Sequence, residues 1–259
     1  MIKISGDRLV IMAVTAFATS MLAIPFVLLL PAPAPSSWPF LFFSMCIHTI
    51  YMLVLVRAYG HGDFVQIYPL ARGSAPLLTA LLGFLLLREV LSVNEMAGMA
   101  LIVVSIVGFA GEKIGGMRQL SGSALLYSLL TGLCITAYSL VDGQGARLSG
   151  NSHSYTAWMF LLHGLLFPSI ALARRRQVFF ANARLVWKSG IVVAIISAIA
   201  YWIIIWAFSQ ERIAPVAVLR ETSVAFAALI SMFLIKERFT VTRVILILLI
   251  IAGIVLLSS

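Results

Sequence analysis

The sequence predicts an all-α polytopic membrane protein. It reads as an inverted repeat of helical bundles, with nine transmembrane helices (4 + 5) drawn from a ten-helix plan. Three observations predict this. The 259 residues are 62% hydrophobic and only 10% charged, against about 45–50% and 25% in soluble domains, and the mean hydropathy is +1.08. Apolar runs near the length that crosses a bilayer recur along the whole chain. Charged residues in two of these runs repeat at a constant separation of 148 residues. No soluble globule of this length hides so much apolar surface, and without sustained polar–apolar alternation a lipid-facing β-barrel is excluded.

Taken in order, the predicted spans are 9–30, 38–58, 64–87, 95–111, 121–142, 155–173, 189–208, 213–235 and 240–258. The first follows Lys3 and Arg8; its length, and the lack of a small-residue cleavage site, favour a retained helix over a signal peptide. "PAPAPSS" separates it from the second, "GHGD" opens the third, and "EKIGGMRQLSG" divides the fourth from the fifth. The longest linker, "RRRQVFFANARLVWK", combines five basic residues with Phe179, Phe180 and Trp187 and suits a membrane interface. Cys46 and Cys134 fall inside apolar helices, where thiols behave as small hydrophobes, so neither a disulfide nor a metal site is expected.

The repeat divides the chain into residues 1–118 and 119–259. Superposing Arg72 on Arg220 also aligns Ala80 with Ala228, Leu86 with Leu234, Arg88 with Lys236, Glu89 with Glu237 and Ser92 with Thr240. Chance pairs apolar residues easily but charged ones rarely. The first half is about 30 residues shorter before its Arg than the second, the length of a helix and its loop, so its first helix is expected to be missing. Repeats of five spans lie oppositely in the membrane, an architecture that many secondary transporters use, with a site near the midplane. Lys and Arg in alternate loops number thirteen against three, which places the N-terminus in the cytoplasm and Ser259 outside.

Arg72 and Arg220 are the sharpest features, because a guanidinium at the bilayer centre costs at least about 2.5–3.5 kcal/mol. One reading has the pair line a central cavity and hold an anionic group; the other pairs one with Glu221 and lets the other snorkel. Pro69, Gly73 and Pro76 around Arg72 predict a bent helix. Glu221 and Asp142 are the candidate proton-coupling carboxylates, against an ion pair for the former and an interfacial position for the latter. His48 and His163 lie mid-span, with Tyr51 one turn from His48, and a lone membrane histidine is most often a packing residue. Tyr138, Tyr201, Trp202 and Trp206 suit either an amphipathic pocket or interfacial belts. Glu89 and Glu237 read as structural turn residues, with Ser92 and Thr240 positioned to cap the following helices.

"VDGQGAR" at 141–147 matches the opening of the CDP-alcohol phosphotransferase motif. That chemistry needs further aspartates to hold metal ions, and no Asp follows Asp142. With no Walker A loop, His-Glu-x-x-His pair or Gly-x-Ser-x-Gly elbow, an enzyme is not expected.

"RAYGHGDFVQIYPLARGSAPLLTALLGFLLLREVLS" and "WAFSQERIAPVAVLRETSVAFAALISMFLIKERFT" resemble the two halves of EamA-type transporters of the drug/metabolite transporter superfamily. The paired basic–Glu turns are the most specific element. The resemblance implies a ten-helix inverted-repeat fold in the bacterial inner membrane, often an exporter of metabolites or drugs. Family members carry signatures at Tyr68 to Pro76 and at Leu219 to Ser223. Characterised members are drawn with both ends cytoplasmic, which the charge count reverses at Ser259. The expected function is a secondary transporter, in the exporter class, of small anionic or zwitterionic metabolites such as amino acids, working by alternating access. The alternative is a non-transporting subunit or a degenerate truncated copy. The candidate substrate-binding residues are Arg72, Arg220, Glu221, Tyr68, Thr222, His48, Tyr51 and Tyr138. A small molecule and the lipid bilayer are expected partners; a coupling ion and a homodimer mate are candidates. No nucleic acid and no cofactor is expected.

Overall fold

The computed structural model describes residues 7–61, 64–114, 121–223, 226 and 240–257, with no strand among them. Among the described residues, nine α-helices run in chain order: α1 (Arg8–Leu29), α2 (Trp38–His61), α3 (Phe64–Leu87), α4 (Val93–Ile114), α5 (Gly122–Leu148), α6 (Ser152–Arg175), α7 (Phe179–Gln210), α8 (Ile213–Glu221) and α9 (Val241–Leu257). Each expected span overlaps one of these helices, most of which run past the expected bounds. Glu237, Lys236 and most of the second half of the 213–235 span lie outside the described residues. Among the described residues, six segments are long and apolar enough to cross a membrane: Arg8–Leu29, Pro35–His61, Leu70–Leu87, Gly122–Leu148, Ser152–Arg175 and Phe179–Gln210. Large side chains such as Leu28, Leu85 and Ile196 stand exposed on these helices, a surface that only lipid accommodates in quantity.

Sequence and structure differ most at the 174–188 linker. It shrinks to a turn at 176–178, and α7 begins at Phe179 and continues for 32 residues. Ala, Arg, Leu and Lys are good helix formers, and the stretch has no Gly or Pro before Gly190 to stop it. At 1.5 Å per residue α7 is about 48 Å long, well beyond the roughly 30 Å hydrocarbon core. Its basic first turns therefore belong to the headgroup region.

The chain forms two compact units, which take helices from both sequence halves. The first comprises Met1–Val56 and Val141–Gln210. Here α1 packs on α6 and α7 through a stripe of small buried residues, Ala13, Ala16, Ser20 and Ala23. Gly164 of α6 meets that stripe so closely that a Cβ would stand 2.4 Å from the Ala16 carbonyl oxygen. Small residues at such crossings let membrane helices gain dispersion contacts where no hydrophobic drive exists.

The second unit comprises Arg57–Leu140 and Glu211–Ser259. In it α3 packs on α4 and α8, and α4 packs on α9. Met99, Ile102, Ile106 and Val218 make its buried apolar cluster. Gly98 and Gly253 bring the backbones of α4 and α9 together, each leaving no room for a Cβ.

Candidate functional site

Each unit encloses a polar cluster. In the second, the cluster is built on α8, whose start is fixed by the turn after α3. Arg88 there takes a left-handed conformation, with φ of 54°, and Glu89 N–H returns to the Gly83 carbonyl at 3.2 Å. The bend aims the buried Glu89 carboxylate at the first turn of α8, where it accepts from Ile213 N at 3.0 Å and Ala214 N at 3.4 Å. A carboxylate at that end also complements the helix dipole. Ser92 and Glu95 close a capping box at the start of α4: Glu95 Oε2 accepts from Ser92 N at 2.7 Å, and Ser92 Oγ from Glu95 N at 3.2 Å. Arg212 pairs with Glu95 and donates to the Val90 carbonyl, which ties the turn to α8 a second time.

Two turns along α8 the anchored helix presents Arg220 and Glu221. The Glu221 side chain is fully buried and accepts from Arg72 Nη1 at 3.2 Å through both oxygens, and from Arg220 Nε at 3.0 Å. Arg220 also donates from Nη1 to Ser139 Oγ at 3.3 Å and lies 6.0 Å from the centre of the Tyr138 ring, within cation–π range. The Arg72 side chain is 27% exposed and that of Arg220 8%. Among the described residues, two guanidiniums thus share this one carboxylate.

In the first unit the centre is Asp142, with no exposed surface. Its Oδ1 accepts from Tyr155 Oη at 3.1 Å, and its Oδ2 from Tyr201 Oη at 2.6 Å with His48 Nε2 at 2.9 Å. The His48 ring stands 5.4 Å from that of His163, centre to centre. Gly145 makes this arrangement fit, since a Cβ there would lie 2.4–2.6 Å from the Tyr155 ring and hydroxyl. The "VDGQGAR" stretch thus has a structural account: the glycine admits the tyrosine that holds the aspartate.

With this geometry in view, comparison with known proteins places the chain. The profile of the EamA-like transporter family matches residues 122–259, more than half of the sequence. The chain belongs to the EamA-like transporter family. It is an integral membrane transporter of the drug/metabolite transporter superfamily. The fold of this EamA-like protein is shared with a crystal structure that aligns over 98% of this chain and 89% of the other, at 17% identity and a TM-score of 0.81. No curated protein is a significant match.

Of the residues expected to bind substrate in this EamA-like transporter, Arg72, Arg220, Glu221 and Tyr138 come together in one cluster. His48 belongs to the other, with Asp142. Thr222 caps α8 and donates to the Leu219 carbonyl at 2.7 Å. Tyr51 is half-buried on α2, and the Tyr68 side chain lies outside the described residues. Asp142 is buried at the centre of a hydrogen-bond network. Pro69 and Pro76 sit within the continuous helix α3. Sequence reasoning missed Ser139, because serine and threonine hydroxyls in apolar helices most often bond their own i−4 carbonyls, as Ser139 itself does with Ile135, and Tyr155, whose phenol direction is set only by packing. The signal for Tyr155 was its position: it faces Asp142 across a hairpin closed by only Ser149, Gly150 and Asn151.

Proposed function

We propose that this protein is a secondary transporter exporting a small anionic or zwitterionic metabolite, such as an amino acid, across the bacterial inner membrane by alternating access of inverted repeats. The observation that carries the reading is the Arg72–Glu221–Arg220 cluster. Inside apolar helices, two guanidiniums converge on one carboxylate among the described residues, donors suited to a substrate carboxylate. Arg72, the more exposed of the two, meets the ligand first. Arg220, held by Ser139 and set beside the Tyr138 ring, completes the anion site, and Glu221 engages a substrate ammonium or balances the charge. The sequence register that pairs Arg72 with Arg220 supports a common role for the two.

The test is a thermal-stability screen of the purified chain against amino acids, organic acids and cationic drugs, beside Arg72→Ala and Arg220→Ala. A ligand that binds only the folded state raises stability by about 2.7 kcal/mol at 100 times its dissociation constant. Stabilisation by an anionic or zwitterionic compound, lost in both variants, is the expected result. Undiminished stabilisation in both variants overturns the assignment. Reconstituted in liposomes, the same compound is expected to leave in the export direction.

A further inference from the structure

We infer that the proton-coupling site of this transporter is Asp142 with His48 and His163, and that Glu221 is not part of it. The inference rests on the transporter reading above but concerns a different cluster. Glu221 and Asp142 are both buried without exposed surface, and their partners decide which can change charge. Glu221 is held by Arg72 and Arg220, whose guanidiniums stay charged and only donate. Neutralising Glu221 removes the carboxylate that Arg72 and Arg220 share and turns its new hydroxyl toward guanidiniums, which cannot accept it.

Asp142 is surrounded by groups of the opposite kind. Its hydrogen-bond partners are two phenol hydroxyls and an imidazole. A hydroxyl donates to a carboxylate and, by rotating, accepts from a carboxylic acid, so Tyr155 and Tyr201 satisfy Asp142 in both states. Imidazole is the side chain that exchanges a proton in the physiological range. Beyond His48 lies His163, more than nine-tenths buried, whose two ring nitrogens make no hydrogen bond to any described residue. A buried polar group without a partner is uncommon and marks a functional role. Here it offers a second place for a proton, one ring removed from the carboxylate.

Among the described residues, Asp142 makes no ion pair with Lys or Arg. His48 faces it from α2, Tyr155 from α6 and Tyr201 from α7. Between Arg8 and Leu29, α1 carries no Asp, Glu, Lys, His, Cys or Tyr. With no exposed surface, Asp142 is closed to a substrate amine yet open to a proton handed along side chains. The step is balanced: one N–H or O–H bond forms as another breaks, and the proton gained by the cluster is the proton later released. Two imidazoles this close do not both charge readily, so the cluster carries a single mobile proton.

The test follows ring-nitrogen NMR of labelled histidine in the full chain in lipid nanodiscs across pH, without any substrate. The four histidines are assigned by single His→Gln variants. Entry of the single proton is expected to change the ring-nitrogen shifts of His48 and His163 together. Asp142→Asn is expected to move the His48 midpoint by about one pH unit or more, the effect of a neighbouring charge, while Glu221→Gln leaves it in place. Tyr201→Phe keeps the carboxylate and serves if Asp142→Asn does not fold; with one donor fewer on Oδ2 the carboxylate holds a protonated His48 more strongly, so the His48 midpoint is expected to move opposite to its shift in Asp142→Asn. Identical His48 titration in wild type and whichever of Asp142→Asn and Tyr201→Phe folds, or an equal shift in Glu221→Gln, overturns the inference. Because no substrate is present, failure here leaves the arginine-cluster reading standing, and failure of the ligand screen leaves this one standing.

Discussion

Gly145 shows how much a single residue decides in this fold. An added methyl would stand within 2.6 Å of the Tyr155 ring and hydroxyl, so Gly145→Ala must push the ring away from Asp142. Overpacking of this kind costs about 1–3 kcal/mol. The expected outcome is a lower melting temperature, together with a perturbed ultraviolet signature of Tyr155. Gly122→Ala, where nothing lies within 4 Å, is the control and should be neutral or slightly stabilising. Equal effects at both positions would remove the packing argument. Legibility at this scale follows chemistry. Arg72, Arg220, Glu221 and Asp142 were conspicuous because charge inside an apolar run is expensive. Their binding partners Ser139 and Tyr155 were not, since a hydroxyl in a helix is cheap and its direction is set only by packing.

Among the elements, α8 depends most on its neighbours. It has nine described residues, and an isolated helix of that length is marginal; Arg212 at its N-cap makes no side-chain cap. Glu89 supplies the cap from the α3–α4 turn. Loss of a helix cap costs about 0.5–2 kcal/mol, so Glu89→Ala should lower stability by that order. It should also weaken ligand binding at Arg220, because α8 carries both. Thermal unfolding and ligand affinity measured on one preparation check this, and a stability loss with unchanged affinity would separate the cap from the site. The sequence placed Glu89 in a structural turn and gave Ser92 the capping role at α4, which hydrogen bonds bear out. It did not reveal which helix Glu89 holds, because Ile213 is 124 residues away. The early start of α7 was missed for another reason: basic and aromatic residues read as interface by composition, yet their helix propensity is good.

For the whole molecule, composition alone carried the class, since apolar runs of bilayer length leave few alternatives. The compact units were not legible. The sequence repeat suggests a cut near residue 118, whereas the units interleave the halves, because within each unit helices far apart in sequence pack together, α1 on α6 and α4 on α9. Orientation remains an expectation from charge, and the structure sharpens its argument. Of the three basic residues in the poorer set of loops, Arg147 donates from Nε to the Phe208 carbonyl at 3.0 Å and Arg212 pairs with Glu95, while Arg88 adopts the left-handed turn before Glu89. These three are retained for local structure, so the thirteen-to-three bias understates the topological signal. Gln177 and Gln210 bracket α7, are both exposed, and lie on the rich and the poor side respectively. With Cys46 and Cys134 replaced, an impermeant maleimide should label Gln210→Cys on intact cells and Gln177→Cys only after permeabilisation. The opposite pattern would mean that the cluster of Arg174, Arg175, Arg176, Arg184 and Lys188 faces outward, and that the charge rule fails for this chain.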